Sequence, residues 1–340
     1  MEEESLYHLR KTKNRIMSDI VIASDRNYLH LVSTCVVSLS ETNPDEKLHI
    51  HLLSNGIDVV DLGSLKTVVE RYRGKLSVYP IENLRKRLTV DVPSTISVTS
   101  YARLFVGSIL PENIDRVLYI DCDIMFSGNI RKLFDIDLAD NLVGGVLDPL
   151  ISRTYKKEIK IPMDEPYINA GVLIISLNQW RSENMEQKFV DYLIANKGKV
   201  HHHDQGIINA VCMGRKKILP PEFNVMSNSL CYPWKELRKI NTPFYNQEEY
   251  NKGISCPVII HFTGAIYGRP WIVGCTHPYA KDFLQFKAET AYKNMPLNPN
   301  NQSMLHCLEG ILYRLLPFSL FKRYMQSVYY LSYFKHSIKK

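Results

Sequence analysis

Short apolar segments and amphipathic helical segments alternate along the first part of the chain, and this alternation restricts the fold more than any other feature. The segment DIVIAS at residues 19–24 predicts a buried strand, and LHLVSTCVVSLSETN at residues 29–43 predicts a helix. A strand at 47–55, a helix at 61–74 and a strand at 75–81 follow. This order predicts an α/β domain with a mostly parallel, doubly wound sheet. Ligands of such sheets bind at the carboxyl ends of the strands.

The segment RVLYIDCDIMF at residues 116–126 predicts a further strand that carries two aspartates, Asp121 and Asp123. Alternate residues of a strand lie on one face, so we expect both carboxylates to point the same way. Two neighbouring carboxylates repel each other unless one is protonated or a cation lies between them. Oxygen ligands suit Mg²⁺ or Mn²⁺, which also bind phosphate oxygens. The pair alone also fits a solvent-exposed strand end, because so short a motif is common by chance.

Several classes of protein are excluded by motifs that the sequence lacks. It has neither the GxGxxG of a dinucleotide site nor the GxxxxGK[ST] of a P-loop. Its seven cysteines include no CxxC pair, so neither a zinc knuckle nor a redox pair is indicated. No segment reaches the roughly 18 consecutive apolar residues of a membrane-spanning helix. The odd number of cysteines and the polar amino terminus predict a cytoplasmic protein.

The carboxyl-terminal segment combines basic and aromatic residues. Residues 303–340 contain six lysines and arginines and one acid, which is a net charge of +5 against +7 for the whole chain. This composition favours helices that lie on an anionic membrane surface, and we expect two helical parts divided by Pro317 on the inner leaflet. A hairpin packed on the body, or a partner surface, is the alternative. No nucleic-acid-binding motif accompanies the charge, so no nucleic-acid partner is expected.

RVLYIDCD and the segment that follows it resemble the retaining glycosyltransferases of family 8, which include bacterial lipopolysaccharide galactosyl- and glucosyltransferases. Five further blocks follow the family's order: DIVIASDRNYLHL, TSYARLFVGSILP, YINAGVLIISLNQWR, HHDQGIINAV and HFTGAIYGRPW. The resemblance extends over most of residues 19–278. It implies a GT-A fold at residues 19–290, between an amino-terminal extension at 1–18 and a basic, aromatic helical tail at 291–340.

The resemblance implies a metal-dependent retaining hexosyltransferase. Such an enzyme would move glucose or galactose from UDP-glucose or UDP-galactose to a glycan acceptor in the synthesis of lipopolysaccharide, capsule or another surface glycan. A membrane-associated tail predicts a lipid-linked acceptor and a peripheral position on the inner face of the membrane. The implied cofactor is Mn²⁺ or Mg²⁺, held by Asp121, Asp123 and His261.

The resemblance also assigns roles to residues of the other blocks. Gln205 matches the residue beneath the anomeric carbon, and Asp204 and Asp148 complete the expected catalytic group. The expected donor-binding residues are Ala23, Asp25, Asn27, Tyr28, Arg103, Asp121, Cys122, Asp123, Asn169, Ala170, Gly264 and Arg269. Helix capping is the alternative role for Asp25 and Asn27.

One block departs from the family pattern. The family often has a lysine six residues after the histidine, followed by Pro-Trp, whereas this chain has Tyr267 there and Arg269 in GRPW. We assign Arg269 as the diphosphate-binding residue in a loop two residues longer, because arginine binds phosphate readily. Gln205 is an amide and a poor nucleophile, so the resemblance favours front-face attack by the acceptor. A short-lived covalent intermediate remains the alternative.

Two other classes of protein fit parts of the sequence. A sugar-nucleotide nucleotidyltransferase is also a metal-dependent α/β enzyme, but it normally carries an amino-terminal glycine-rich loop, and ASDRNY has no glycine. A catalytically idle glycan- or membrane-binding module would not need the aspartate pair, His261 and Gln205 together.

Overall fold

The structure is a computed structural model that describes residues 17–88, 98–301 and 304–324. Within these ranges the strands form two sheets. The strands are β1 (Ser18–Asp25), β2 (Leu48–Asn55), β3 (Lys75–Pro80), β4 (Arg116–Ile120), β5 (Ile124–Phe126), β6 (Val143–Leu147), β7 (Ile168–Ser176), β8 (Lys216–Ile218), β9 (Val225–Met226) and β10 (Ile259–His261).

The larger sheet has seven strands in the order β3-β2-β1-β4-β7-β6-β8. The pairs β1–β2, β2–β3, β1–β4 and β6–β8 are parallel, whereas β7 runs antiparallel to both of its neighbours. Strands β1, β4, β6 and β7 are buried almost throughout, which explains why the central parts of their sequences are apolar on both faces. The predicted α/β fold with a mostly parallel sheet is confirmed.

Helices pack on both faces of this sheet. Alternate residues of β1 enter different apolar cores: Val21 packs in the core that contains Trp180 and Phe189, and Ile22 in the core that contains Val36.

The helices are α1 (Leu29–Thr42), α2 (Val59–Arg71), α3 (Leu84–Arg87), α4 (Val98–Tyr101), α5 (Val106–Ile109), α6 (Arg131–Phe134), α7 (Arg153–Glu158), α8 (Leu177–Ser182), α9 (Met185–Ala195), α10 (His203–Val211), α11 (Ser227–Cys231), α12 (Trp234–Ile240), α13 (Gln247–Ser255), α14 (Ala280–Ala288) and α15 (Met304–Leu315).

The strand predicted over residues 116–126 is interrupted, and this corrects the sequence-based interpretation. Strand β4 stays in the larger sheet, whereas β5 belongs to a second sheet with the order β5-β10-β9. The N–H of Asp121 donates to the carbonyl of Gly171 at 2.8 Å, after which the chain leaves the larger sheet. Asp121 and Asp123 therefore lie in the segment between the two sheets. Strand alternation does not explain their shared orientation.

The described part of the carboxyl-terminal tail packs on the body through one side. The hydroxyl of Tyr313 donates to the carbonyl of Cys231 at 2.8 Å. Phe321 is 1% exposed, and its ring centroid is 5.3 Å from that of Tyr313. Four apolar side chains of the tail are exposed: Leu308, Ile311, Leu315 and Leu320.

The tail has two helical parts, as predicted: α15 precedes Pro317, and residues 318–324 are helical after it. Each helix of the described residues is too short or too polar to pass through a bilayer. Residues 325–340, which complete the predicted tail, lie outside the described residues, as do residues 1–16 of the predicted amino-terminal extension.

Candidate functional site

Three potential metal ligands meet beyond the carboxyl end of β4: Asp121, Asp123 and His261. His261 is the last residue of β10, and the antiparallel pairing of β10 with β5 places it opposite Ile124. His261 Nε2 is 3.2 Å from an oxygen of Asp123 and 3.9 Å from an oxygen of Asp121. One ligand atom from each residue lies within 4.8 Å of the others. The pairing of the second sheet thus brings the three predicted metal ligands together.

This cluster fits a hard divalent cation. Two carboxylates and one imidazole form a donor set suited to Mn²⁺ or Mg²⁺. The space around the cluster is kept open by Gly171. A Cβ atom at Gly171 would lie 2.2 Å from His261 Cε1 and 2.9 Å from Asp121 Oδ2. Any larger residue would displace the ligands, so the local sequence of β7 is adapted to the cluster.

The cluster contains a carboxylate that stays ionised despite its burial. Burial opposes the charge of Asp123, but His261 and Arg269 outweigh it and hold the pKa of Asp123 below its usual value. Burial also opposes the charge of His261, while Asp123 and Asp121 hold its pKa above the usual value. At neutral pH, Asp123 is therefore a carboxylate that is available to a cation.

Arg103 is buried between two carboxylates. It lies in a 3-10 turn, Ala102–Phe105, within the block TSYARLFVGSILP. Arg103 Nη2 is 2.7 Å from Asp121 Oδ1, and its Nε is 2.9 Å from Asp204 Oδ2. Burial raises the pKa of Asp204 to about 6, although Arg103 opposes the shift. Arg103 therefore links a predicted metal ligand to a predicted catalytic carboxylate.

A pocket of about 250 Å³ lies beside the cluster. Its walls include eight residues predicted for the donor and metal sites, namely Ala23, Asp25, Tyr28, Arg103, Asp121, Cys122, Asp123 and Arg269. Five further lining residues were missed by sequence reasoning: Ser24, Thr99, Ser100, Tyr119 and Trp271. Each of these five residues lies within four positions of a predicted site residue in the sequence. Their closeness to predicted residues was therefore the signal that could have identified them.

Asn27 and Gly264 do not line this pocket. The N–H of Asn27 donates to Asp25 Oδ1 at 2.9 Å, so Asp25 caps the short 3-10 helix Arg26–Tyr28. The capping role that was the alternative for Asp25 is therefore present, and the same residue also lines the pocket. Tyr28, at the end of this helix, is 48% exposed beside the pocket.

The loop after β10 carries Arg269 to the pocket. Gly264 has φ +95°, a backbone conformation that residues other than glycine rarely adopt. This conformation lets the chain turn after the HFT segment. Arg269 Nε donates to the carbonyl of Phe262 at 3.2 Å, and its guanidinium carbon is 5.8 Å from the ring centroid of Trp271. The side chain of Arg269 thus contacts two other residues of the HFTGAIYGRPW block, Phe262 and Trp271.

Four predicted residues form a second network beside the cluster: Asp148, Asn169, Ala170 and Gln205. Asn169 Nδ2 and Gln205 Nε2 both donate to Asp148 Oδ2, at 3.2 and 3.1 Å. Gln205 Oε1 accepts from the N–H of Ala170 at 3.0 Å and from Asn169 Nδ2 at 3.1 Å. Both lone pairs of the Gln205 amide oxygen are therefore engaged.

Asn224 connects this network to the metal cluster, and sequence reasoning missed it. It is 1% exposed, and its Nδ2 donates to Asn169 Oδ1 at 2.9 Å. Its Oδ1 lies 3.1 Å from His261 Nδ1. Asn224 lies in none of the sequence blocks that resemble the family, so nothing in the sequence indicated that it belongs to the site.

Comparison with known proteins places the sequence in a described family. The family model for glycosyl transferase family 8 matches residues 19–272. General stress protein A of Bacillus subtilis is 24% identical over 288 residues, which cover 83% of this chain and 97% of that protein. Lipopolysaccharide 1,3-galactosyltransferase of Salmonella typhimurium is 24% identical over 330 residues, which cover 94% and 91%. Lipopolysaccharide 1,2-glucosyltransferase of Escherichia coli is 24% identical, with 80% and 78% covered.

Solved structures share the architecture. The galactosyltransferase LgtC, crystallised with donor and acceptor sugar analogues, superposes with a TM-score of 0.68 and 25% identity, covering 80% of this chain and 96% of LgtC. The bifunctional glycosyltransferase WbbM superposes with a TM-score of 0.67 over 82% of this chain and 50% of WbbM. At 20% identity, WbbM is similar in fold alone.

Proposed function

Because this chain belongs to glycosyl transferase family 8, we propose that it transfers glucose or galactose from a UDP-sugar to a glycan acceptor in surface-glycan synthesis, with retention of configuration. Its relatives include a lipopolysaccharide galactosyltransferase and a lipopolysaccharide glucosyltransferase, which supports this substrate class. The observation that carries the proposal is the convergence of Asp121, Asp123 and His261 beside a pocket of about 250 Å³.

The donor would occupy this pocket. Asp121, Asp123 and His261 would hold Mn²⁺ or Mg²⁺, which when bound neutralises charge on the diphosphate. Arg269 enters the pocket beside the cluster and would bind a phosphate oxygen through its guanidinium. At the other end, Ala23, Asp25 and the exposed ring of Tyr28 would contact the ribose and uracil. Asn27 and Gly264 would act through the backbone that positions these residues.

The donor sugar would lie against the second network. Asp148 and Asn169 carry the hydrogen-bonding groups for sugar hydroxyls, and Arg103 is held next to them by Asp204 and Asp121. The amide oxygen of Gln205 already accepts two hydrogen bonds, so it has no free lone pair for attack on the anomeric carbon. This supports front-face attack, in which the acceptor hydroxyl enters on the side of the departing phosphate and a phosphate oxygen takes its proton.

The test is a donor screen with UDP-glucose and UDP-galactose, with and without Mn²⁺. We expect metal-dependent release of UDP, and proton NMR of the first-formed product should show an α-linked hexose. A β-linked product would contradict the retaining mechanism. Release of pyrophosphate from a sugar 1-phosphate and UTP would instead identify a nucleotidyltransferase, and absence of turnover with every donor and acceptor would indicate an idle module.

We also propose that the tail binds the inner leaflet of the membrane, where a lipid-linked acceptor would be found. The exposed apolar side chains of the tail support this, because Ile311, Leu315 and Leu320 are 45%, 74% and 46% exposed while Tyr313 and Phe321 attach the tail to the body. The net charge of +5 in residues 303–340 favours anionic lipid.

Liposome co-sedimentation tests the tail without unfolding the body. Replacing Ile311, Leu315 and Leu320 together with serine should abolish binding to anionic liposomes and leave the Tm and UDP-sugar hydrolysis unchanged. Removal of residues 303–340 should also abolish binding, at a cost in Tm because the contact of Phe321 is lost. Unchanged binding by the triple variant would favour a tail that only packs on the body.

A further inference from the structure

The orientation of one buried amide is fixed by the backbone of β7. The N–H of Gly171 donates to Asn169 Oδ1 at 2.9 Å. A backbone N–H can only donate, so the atom that faces it must be the amide oxygen and not the amide nitrogen. The nitrogen of Asn169 then faces Asp148 Oδ2 and Gln205 Oε1, at 3.2 and 3.1 Å, and both of these oxygens accept. Every contact of Asn169 is satisfied in this one orientation.

The fixed orientation of Asn169 determines that of Asn224. Asn169 Oδ1 can only accept, so the atom of Asn224 that lies 2.9 Å from it must be the amide nitrogen. The oxygen of Asn224 is then the atom that lies 3.1 Å from His261 Nδ1. Asn224 and His261 are 1% and 4% exposed, so solvent does not offer either group a competing partner.

The orientation of Asn224 determines where the imidazole of His261 carries its proton. An amide oxygen cannot donate, so the contact between Asn224 and His261 is a hydrogen bond only when Nδ1 holds a hydrogen. In the neutral ring, Nε2 then has a free lone pair, and this is the nitrogen that faces Asp123 and Asp121 at 3.2 and 3.9 Å. A metal ion requires that lone pair.

We propose that Asn224 is a positioning residue that fixes His261 in the Nδ1–H tautomer and so prepares Nε2 to bind the metal. This deepens the proposed function, because it concerns the ligand set of the same site. The hydrogen bonds run in one direction, from His261 to Asn224 and from Asn224 to Asn169, so Asn224 joins the predicted sugar-binding network to the predicted metal cluster. The backbone N–H of Gly171 sets that direction.

The tautomer can be measured directly in the metal-free wild-type protein. Histidine labelled with ¹⁵N distinguishes a protonated from an unprotonated ring nitrogen, and the signals of His261 are identified by their loss in His261→Gln. At a pH where the ring is neutral, we expect the proton on Nδ1. A neutral ring with its proton on Nε2 would overturn the proposal, and this result does not depend on whether the enzyme turns over any donor.

Two substitutions separate the two hydrogen bonds of Asn224. Asn224→Leu removes both and should weaken Mn²⁺ binding by about 10- to 100-fold, as measured by electron paramagnetic resonance titration. Asn224→Asp keeps an acceptor for His261 but loses the donor to Asn169, so it should retain Mn²⁺ binding close to that of the wild type and lower kcat. Wild-type Mn²⁺ affinity in Asn224→Leu, or an equal loss of affinity in both variants, would contradict the proposal.

A matched control variant shows how much stability is lost when any buried asparagine is replaced with leucine. Asn43 is also 1% exposed, and it bonds Leu39 and Ile130 away from the metal cluster. Asn43→Leu should lower the Tm while Mn²⁺ affinity stays unchanged. If wild-type protein binds no Mn²⁺, the metal role in the proposed function fails, whereas the NMR experiment still decides the tautomer.

Discussion

The described residues contain two clusters in which carboxylate and imidazole groups converge, and they lie near opposite edges of the larger sheet. The carboxyl-edge cluster follows the end of β4 and consists of Asp121, Asp123 and His261. The amino-edge cluster lies on β1 and β2 and consists of Asp19, His49 and His51. In both, the potential ligand atoms lie within 4.8 Å of one another. By residue type and distance alone, either cluster could hold a metal ion.

The amino-edge cluster satisfies its own hydrogen bonds. One oxygen of Asp19 lies 2.8 Å from His51 Nε2 and 3.0 Å from His49 Nδ1, so it can accept from both rings. The other ring nitrogens face hydroxyl groups: His49 Nε2 is 2.8 Å from Ser77 and His51 Nδ1 is 3.1 Å from Tyr79. A hydroxyl can donate to an unprotonated ring nitrogen. The side chains of this cluster are therefore paired with one another or with hydroxyl groups and need no cation.

The carboxyl-edge cluster has the opposite ratio of groups. It has two carboxylates for one imidazole, and Asn224 occupies the Nδ1 side of that imidazole. Arg103 pairs with Asp121 but also with Asp204, so it does not neutralise the aspartate pair. The two clusters therefore differ in the partners and the direction of their histidine hydrogen bonds, and not in their residue types.

The largest expected difference is in catalysis. Asp123→Ala should lower kcat/KM by at least about 100-fold, because stabilisation of charge on the departing diphosphate would be lost. Asp19→Asn should leave kcat/KM unchanged. Both variants are assayed by UDP release, and excess EDTA on the wild type should reproduce the effect of Asp123→Ala. Equal losses in the two aspartate variants, or full turnover in EDTA, would show that the comparison is wrong.

A smaller effect is expected from the residue that keeps the carboxyl-edge cluster open. Gly171→Ala would place a Cβ 2.2 Å from His261 Cε1, so the imidazole must move. We expect Mn²⁺ affinity to fall by about 10- to 100-fold. Gly63→Ala is the control, because Gly63 is an exposed position of helix α2, nothing lies within 4 Å of a Cβ added there, and alanine has a higher helix propensity than glycine. Unchanged Mn²⁺ binding by Gly171→Ala would mean that His261 is not a ligand.

The smallest effect concerns stability at the amino-edge cluster. Burial opposes the charge of Asp19, but hydrogen bonds from His49 and His51 outweigh it and hold the pKa of Asp19 below its usual value. A lowered pKa stabilises the folded state above the pKa of the unfolded chain, and this contribution is lost as pH falls through the folded pKa. Asp19→Asn should therefore lower the Tm by a few degrees at neutral pH, corresponding to about 2 kcal/mol.

The diagnostic measurement is the pH dependence of the difference in Tm between wild type and Asp19→Asn. The Tm values of wild type and Asp19→Asn should begin to converge below about pH 4, the ordinary pKa of an aspartate in an unfolded chain, and should meet once the pH has fallen through the lower folded pKa of Asp19. Addition of Mn²⁺ should not change the difference at any pH. A metal-dependent Tm difference between the two proteins would make the amino-edge cluster a cation site.

Local elements of the fold were predictable because their signals are local. The helix expected over residues 29–43 is observed as Leu29–Thr42, and the strand expected over 47–55 is observed as Leu48–Asn55. The strand expected over 116–126 was wrong in one respect, because pairing with β10, more than a hundred residues later, pulls its second half into another sheet. No window of local sequence contains that partner.

The sequence by itself determined which chemical groups the site has. The two aspartates of IDCD, the histidine of HFTG and the order of the blocks were enough to predict a family, a metal and a donor pocket. Asn224 and Gly171 show what only the tertiary structure decided. A hydrogen bond has a direction, and that direction depends on which groups the packing of β7, β9 and β10 brings face to face. The composition of the site is therefore written in local sequence, whereas the placement of its protons depends on contacts between distant segments.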